Sequence, residues 1–126
     1  LSADDFYKNE AFSDEIGRYS YPIDIHPMTP DKNGMQDFVK AVSMRHEDGQ
    51  SYSIPYRSLI PKKVENLLVA GRCIGADRAM QASLRVIPCC YITGQAAGCA
   101  AAVCIEDNVR AKDADISKIK RYIDAL

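Results

Sequence analysis

An anion could be held between two features of this sequence. Val64 to Gly71 (VENLLVAG) is a short apolar run closed by glycine, a polar connector runs from Arg72 to Arg85, and Val86 to Ile105 is a long apolar segment rich in Ala, Gly and Cys. Pro88 falls where the first turn of a helix tolerates proline. The segment therefore reads as a helix that starts near Arg85–Pro88 and ends near Asn108. A helix start presents unpaired N–H groups and the positive end of the backbone dipole, which stabilise negative charge by roughly 0.3–1 kcal/mol when exposed and by more when buried. A run ending in Ala70-Gly71 lets a ligand or another backbone approach closely. Arg72, Arg78 and Arg85 supply cations nearby. Each has a plain reading as a surface residue, and Arg85, at the helix start, is the best placed to bind.

Other reactive residue types make weaker patterns. Cysteines stand at 73, 89, 90, 99 and 104, an odd number with no C-x-x-C, and only His26 and His46 accompany them. That is not the spacing of a zinc site, and no metal is expected. Free Cys in an Ala-rich stretch behaves as a small hydrophobe, which fits a reduced, cytoplasmic protein. A redox-active Cys89-Cys90 disulfide is the competing reading; neighbouring side chains on a helix point about 100° apart, which opposes it. His26 is a candidate acid/base, with a structural or exposed role as the alternative. No catalytic residue is otherwise indicated.

The elements that must position these residues can be read in outline. Ser2 with Asp5 has the capping-box spacing, opening a short amphipathic helix within 2–12. Three prolines and two glycines make 17–34 an irregular loop, with a short extended stretch at Tyr21–His26 as the alternative. Phe38, Val39, Val42 and Met44, then Tyr52, Ile54 and Tyr56, predict a β-hairpin over 38–57 turning at Asp48-Gly49; a helix at 35–44 competes for its first half. Val64–Ala70 reads as a strand buried on both faces. Ile116, Ile119, Ile123 and Leu126 recur at helical spacing after Asp115. The fold class expected is α/β, as an α+β fragment. Residues 1–57 would be a remnant of a substrate or cap domain and 58–126 part of a second domain.

Composition bounds the function. Lys and Arg number 16 against 17 Asp and Glu, so no basic excess points to nucleic acid or to an anionic membrane. Val86–Ile105 carries no charge, and Gly94-x-x-x-Gly98 has the spacing of membrane helix pairs. Few large aliphatics, Pro88, Thr93 and Gln95, and the lack of cationic or aromatic flanks on both sides argue against a span.

Ile54-Pro55-Tyr56-Arg57, Asn66 to Ile74, Ser83-Leu84-Arg85-Val86 and Gly94-Gln95-Ala96-Ala97-Gly98 fall in an order that resembles the C-terminal FAD-contacting motif of FAD-dependent oxidoreductases with a glutathione-reductase-like FAD-binding fold. Tyr21 to His26 (YPIDIH) resembles a bacterial subgroup of them, and the similarity covers roughly residues 13 to 110. The resemblance implies that Ala70, Gly71, Arg72, Cys73 and Ile74 line the ribityl and pyrophosphate part of FAD. It implies that Asp77 sits where related proteins place an acidic ribityl ligand, and that Arg85, Val86 and Ile87 face the isoalloxazine. The helix start would then stabilise the negative charge of reduced flavin near its N1 and C2 carbonyl.

The glycines stand at 17, 34, 49, 71, 75, 94 and 98, and no G-x-G-x-x-G exists among them. The pyrophosphate-gripping Rossmann unit is not in this sequence. The expectation is a C-terminal fragment of an FAD-dependent oxidoreductase acting on a small molecule, whose main partner is a missing N-terminal Rossmann half. Alone it would bind FAD weakly or not at all and self-associate. A non-catalytic helical interaction module, or a membrane-associated one, is the alternative.

Overall fold

The computed structural model describes residues 1–25 and 45–126. In chain order the elements are α1 (Ala3–Tyr7), β1 (Glu15–Tyr19), β2 (Tyr52–Pro55), α2 (Arg78–Leu84), α3 (Ile87–Asp107) and α4 (Ile116–Asp124), with 3-10 turns at Tyr56–Leu59, Gly71–Cys73 and Ala111–Asp113. The architecture is α+β.

The start of α1 follows its capping residues. The Ser2 N–H and hydroxyl both donate to Asp5 Oδ2, at 2.7 and 2.9 Å. The helix stops at Tyr7, short of the expected 2–12, because Asn9 turns to φ 51, a left-handed conformation that Asn tolerates.

The sheet differs from the expected hairpin. Tyr52 and Ile54 do form a strand, β2, and the turn at Asp48-Gly49 is present with Gln50 N–H donating to the Glu47 carbonyl at 2.9 Å. Among the described residues its antiparallel partner is β1, with Gly17 opposite Ile54 and Tyr19 opposite Tyr52. The anticipated first strand, with Phe38, Val39, Val42 and Met44, lies outside the described residues. Gly17–Tyr19, read as loop, belongs to β1. Gly17 also lets α3 lie close against the sheet: a Cβ there would lie 2.5 Å from Ile92 Cγ2.

The apolar run Val64–Ala70 is not the buried strand expected of it. It bends at Glu65 and Asn66 and carries no regular structure over 67–70, with Val64 49% and Leu67 46% exposed. A strand is made by the ladder beside it, and among the described residues no strand lies alongside. Its one backbone tie to the turn before it is Val69 N–H donating to the Leu59 carbonyl at 2.9 Å. Leu68 and Val69 lean on the core, and Glu65 reaches Arg110 at 3.5 Å and Lys112 at 3.8 Å.

The connector 72–85, read as irregular, contains a helix, α2. Asp77 caps it by accepting the Met80 N–H at 2.7 Å.

α3 runs as expected, from the cap at Val86 through Pro88 in its first turn to a left-handed Asn108. Cys89, Thr93, Ala96, Ala100 and Val103 recur every three or four residues and form its buried stripe. The opposite face is open: Ile87, Tyr91 and Ile105 are exposed, and a Cβ added at Gly94 or Gly98 would meet no atom within 4 Å. No side chain among the described residues packs on those two glycines. By length and composition α3 could cross a membrane, but a third of its most apolar window is buried in the protein's own core.

α4 is capped by Asp115, which accepts the Ser117 N–H at 2.8 Å. Ile119 is fully buried with Ile116 and Ile123 beside it, whereas Leu126 lies past the helix end and is 89% exposed, so it is not the fourth member of that face. Lys118 ties α4 to the end of α3 through Glu106 at 2.9 Å and Asp107 at 2.6 Å. Phe6, Ile16, Tyr52 and Ile54 share one core with Leu84, Cys89, Ala100 and Ile119. The segments before and after position 57 are thus packed together.

Candidate functional site at the start of the long helix

Arg72, Arg85, Val86 and Ile87, which lie up to fifteen positions apart in the chain, line one open cleft of about 630 Å³ together with Asp24, Gln81 and Pro88. Three local structures bring them there. Arg85 closes α2, one residue before Val86 caps α3. The turn at Gly71–Cys73 lies against α3 and carries Arg72. The segment after β1 brings Asp24, whose carbonyl accepts from Arg85 Nη2 at 3.1 Å and whose carboxylate is 3.7 Å from the same nitrogen.

The turn is fixed by a buried hydroxyl. Gly71 N–H donates to Thr93 Oγ1 at 2.9 Å, and Thr93, fully buried, donates to the Cys89 carbonyl at 2.9 Å. Gly71 holds φ 65, and a Cβ on it would lie 3.2 Å from Cys90 Sγ. Glycine is favoured here by the left-handed backbone, and a side chain would also need the Cys90 sulfur to give way.

The remaining sequence-predicted residues are placed elsewhere. Ala70 precedes the turn in extended conformation. Cys73 is exposed and lines a separate groove of about 910 Å³ with Arg57 and Lys62. Ile74 is buried in the core. Both carboxylate oxygens of Asp77 are engaged, Oδ1 with Met80 N–H at 2.7 Å and Oδ2 with Ala3 N–H at 2.9 Å, so this side chain fastens α1 to α2. His26 lies outside the described residues.

Sequence reasoning missed Gln81, Asp24 and Thr93. Arg78, Gln81 and Arg85 have the i, i+3, i+7 spacing of one helix face, a signal available only once 78–84 is read as helical. Thr93 was visible as a polar position in an apolar segment.

The buried Cys89 is not set up as an attacking thiol in this arrangement. All five are free, and burial, with Cys90 beside it, pushes the Cys89 thiol up to about 12. A thiol that stays protonated at neutral pH is a poor nucleophile. Among the described residues no group of His, Cys, Asp and Glu could hold a metal ion.

The model of the family described as FAD dependent oxidoreductase matches residues 1–123. The chain belongs to that family. No curated protein and no solved structure matches it. For a member of an FAD-dependent oxidoreductase family, the cleft offers a fitting set of groups. Ile87, 67% exposed, and Val86 give an apolar wall suited to a flat ring. The start of a 21-residue helix and the guanidinium groups of Arg72 and Arg85 suit the ring's anionic edge.

Proposed function

We propose that this chain contributes the turn and helix start that contact the flavin in an FAD-dependent oxidoreductase, as the C-terminal portion of a Rossmann-like, glutathione-reductase-like FAD-binding domain. The observation that carries this reading is the convergence of Arg72, Arg85, Val86 and Ile87 on one cleft at the start of α3. FAD, when bound, supplies two-electron hydride exchange at its N5. Val86 and Ile87 hold a ring against an apolar surface and keep water from it. The helix start and Arg85 stabilise negative charge at the ring edge. The backbone at Ala70–Ile74 lies along the cofactor's chain, with Gly71 allowing close approach. His26 remains a candidate acid/base in this reading.

The principal partner is a Rossmann half that carries the G-x-G-x-x-G absent from this sequence. Two features support it. Val64–Ala70 is an apolar run with no strand beside it among the described residues, and the open face of α3 presents Ile87, Tyr91 and Ile105 beside two glycines. A parallel strand on the first and a packed layer on the second would satisfy both. In this reading the partner half lies elsewhere in the same protein, the substrate is a small molecule, and the location is the cytoplasm. Without that half, two copies cover these surfaces by pairing, most simply with two-fold symmetry.

The test is to express the chain joined to its partner half and examine the purified protein. It is expected to be yellow with flavin absorbance. A colourless protein that also fails to take up added FAD overturns this function.

A second reading, a membrane-associated or helical interaction module, is favoured by the length, apolarity and open face of α3. The protein's own core already covers the opposite stripe of that helix, which a lipid-facing span would not need. Partitioning into detergent after lysis separates the two readings.

A further inference from the structure

The last turn of α2 grips the segment after β1 at two points. Ser83 Oγ donates to the Tyr21 carbonyl at 2.5 Å, and Arg85 Nη2 donates to the Asp24 carbonyl at 3.1 Å. Ser83 is fully buried and its hydroxyl has one proton, which the Tyr21 carbonyl takes. Tyr52 Oη lies 2.7 Å from Ser83 Oγ, so in that pair the phenol must be the donor. Tyr52 is fully buried too, and burial raises its phenol above the ordinary tyrosine range, which keeps it a donor. The result is a directed chain of hydrogen bonds, from Tyr52 in β2 through Ser83 in α2 to the backbone that brings Asp24 to the cleft.

We propose that Ser83, oriented by Tyr52, is a positioning residue for the flavin site: it fixes the 21–24 backbone, so that Asp24 holds Arg85 in place at the cleft. The proposal rests on the flavoenzyme reading and adds to it a residue that does not line the cleft. β1 ends at Tyr19, so no ladder with β2 fixes the backbone beyond it. Between the two grip points stand Pro22, which has no N–H to offer, and Ile23, which is buried. Arg85 spends one nitrogen on Asp24, and its other guanidinium N–H groups make no hydrogen bond among the described residues; its side chain is 39% exposed. A guanidinium on a flexible stem stabilises charge on a ring best when its place is set before that charge forms. With the Ser83 bond removed, the Tyr21 carbonyl loses its tie, Asp24 sits on a looser backbone, and Arg85 loses its fixed place.

The test separates Ser83 from Tyr52. Ser83→Ala and Tyr52→Phe both remove the hydrogen bond between the two side chains, and both should lower the melting temperature. Only Ser83→Ala releases the Tyr21 carbonyl. In the chain without FAD, modification of Arg85 by phenylglyoxal is followed by mass spectrometry, with the exposed Arg121 as internal reference. Ser83→Ala is expected to speed it about fivefold, the scale of one hydrogen bond, and Tyr52→Phe to leave it unchanged. In the protein joined to its partner half, Ser83→Ala should lower the equilibrium constant for flavin reduction about fivefold, a fall of about 20 mV for a two-electron couple. It should add nothing in an Arg85→Gln background. A general loosening of the fold would shift the potential in Tyr52→Phe as well, and again in the Arg85→Gln background; either result overturns the proposal. So does an unchanged modification rate in Ser83→Ala, since burial of Ile23 would then be enough to hold the segment. Should Ser83→Ala fail to fold, the double variant with Tyr52→Phe, which leaves no unpaired phenol, takes its place in both measurements. A colourless joined protein overturns the flavoenzyme reading and the role of Ser83 toward the flavin with it, while the modification rates still decide whether Ser83 places Arg85.

Discussion

Thr93 joins the Gly71 turn to α3 through a single hydroxyl, accepting the Gly71 N–H at 2.9 Å while donating to the Cys89 carbonyl at 2.9 Å. The position of Arg72 in the cleft depends on that joint. Thr93→Val keeps the shape and removes the acceptor, which leaves the Gly71 amide without its partner in a partly buried setting. The expected loss is about 1–3 kcal/mol in urea unfolding. Thr93→Ser retains the hydroxyl and should recover most of it. Equal stability of the Val variant and the parent sequence would show that the turn is held by other contacts.

Gly71 is the other half of the joint. At φ 65 any other residue carries the strain of the left-handed region, about 1–2 kcal/mol, and the added Cβ meets Cys90 Sγ at 3.2 Å. Gly71→Ala should therefore lower the unfolding midpoint. Cys90→Ala in the same chain should restore only the steric part. Full recovery in the double variant would mean that the backbone relaxes out of the left-handed region at no expense.

How much of this was legible from the residues follows from the kind of signal each element carries. α3 was readable from Pro88 to Asn108 because its start, apolar content and end are encoded locally. α4 was readable up to Leu126, where an apolar residue at the right spacing lies beyond the last turn. α2 was not, because in a helix of seven residues Met80 and Leu84 make a single i, i+4 apolar pair, too short a stripe to show a period. Val64–Ala70 has the composition of a buried strand, yet strand formation needs a neighbour, and composition says nothing of whether one is present. Within the site, Arg72, Arg85, Val86 and Ile87 were named together from the family resemblance. Asp77 was named with them, and the structure uses both its carboxylate oxygens on backbone amides. Asp24 and Gln81 enter through tertiary contact alone.

His46 gives the fold a dependence on acid. Its ring packs tilted against Phe6 at 4.1 Å between centroids and lies 5.8 Å from Tyr52, and its Nε2 is buried with no hydrogen-bond partner among the described residues. Burial lowers its affinity for a proton. The folded protein then binds that proton less readily than the unfolded chain does. The stability contributed by neutral His46 is complete above the ordinary histidine value of about 6.5 and is lost progressively as pH falls below it. Melting temperature measured across this range should fall on acidification, and His46→Phe should flatten the part of the slope that lies near and below pH 6.5. An unchanged slope in that variant would assign the acid sensitivity to other groups.

Gly98 distinguishes a helix face that is free from one that is covered. In this chain a side chain at Gly98 points into open space, with no atom within 4 Å of a Cβ. Gly98→Leu should therefore leave the melting temperature of the isolated chain, measured at a dilution where it does not pair, unchanged or raise it slightly, since leucine favours helix over glycine by somewhat under about 1 kcal/mol. In the protein joined to its Rossmann half, the same leucine would be driven into the layer proposed to cover α3. Overpacking of that kind costs about 1–3 kcal/mol, and the melting temperature should drop. The sign of the effect thus reverses between the two proteins. The comparison needs only thermal unfolding of four samples, two with glycine and two with leucine. A leucine tolerated equally in both would mean that this face of α3 stays open to solvent, and the proposed docking of the partner half on Gly94 and Gly98 would have to be abandoned.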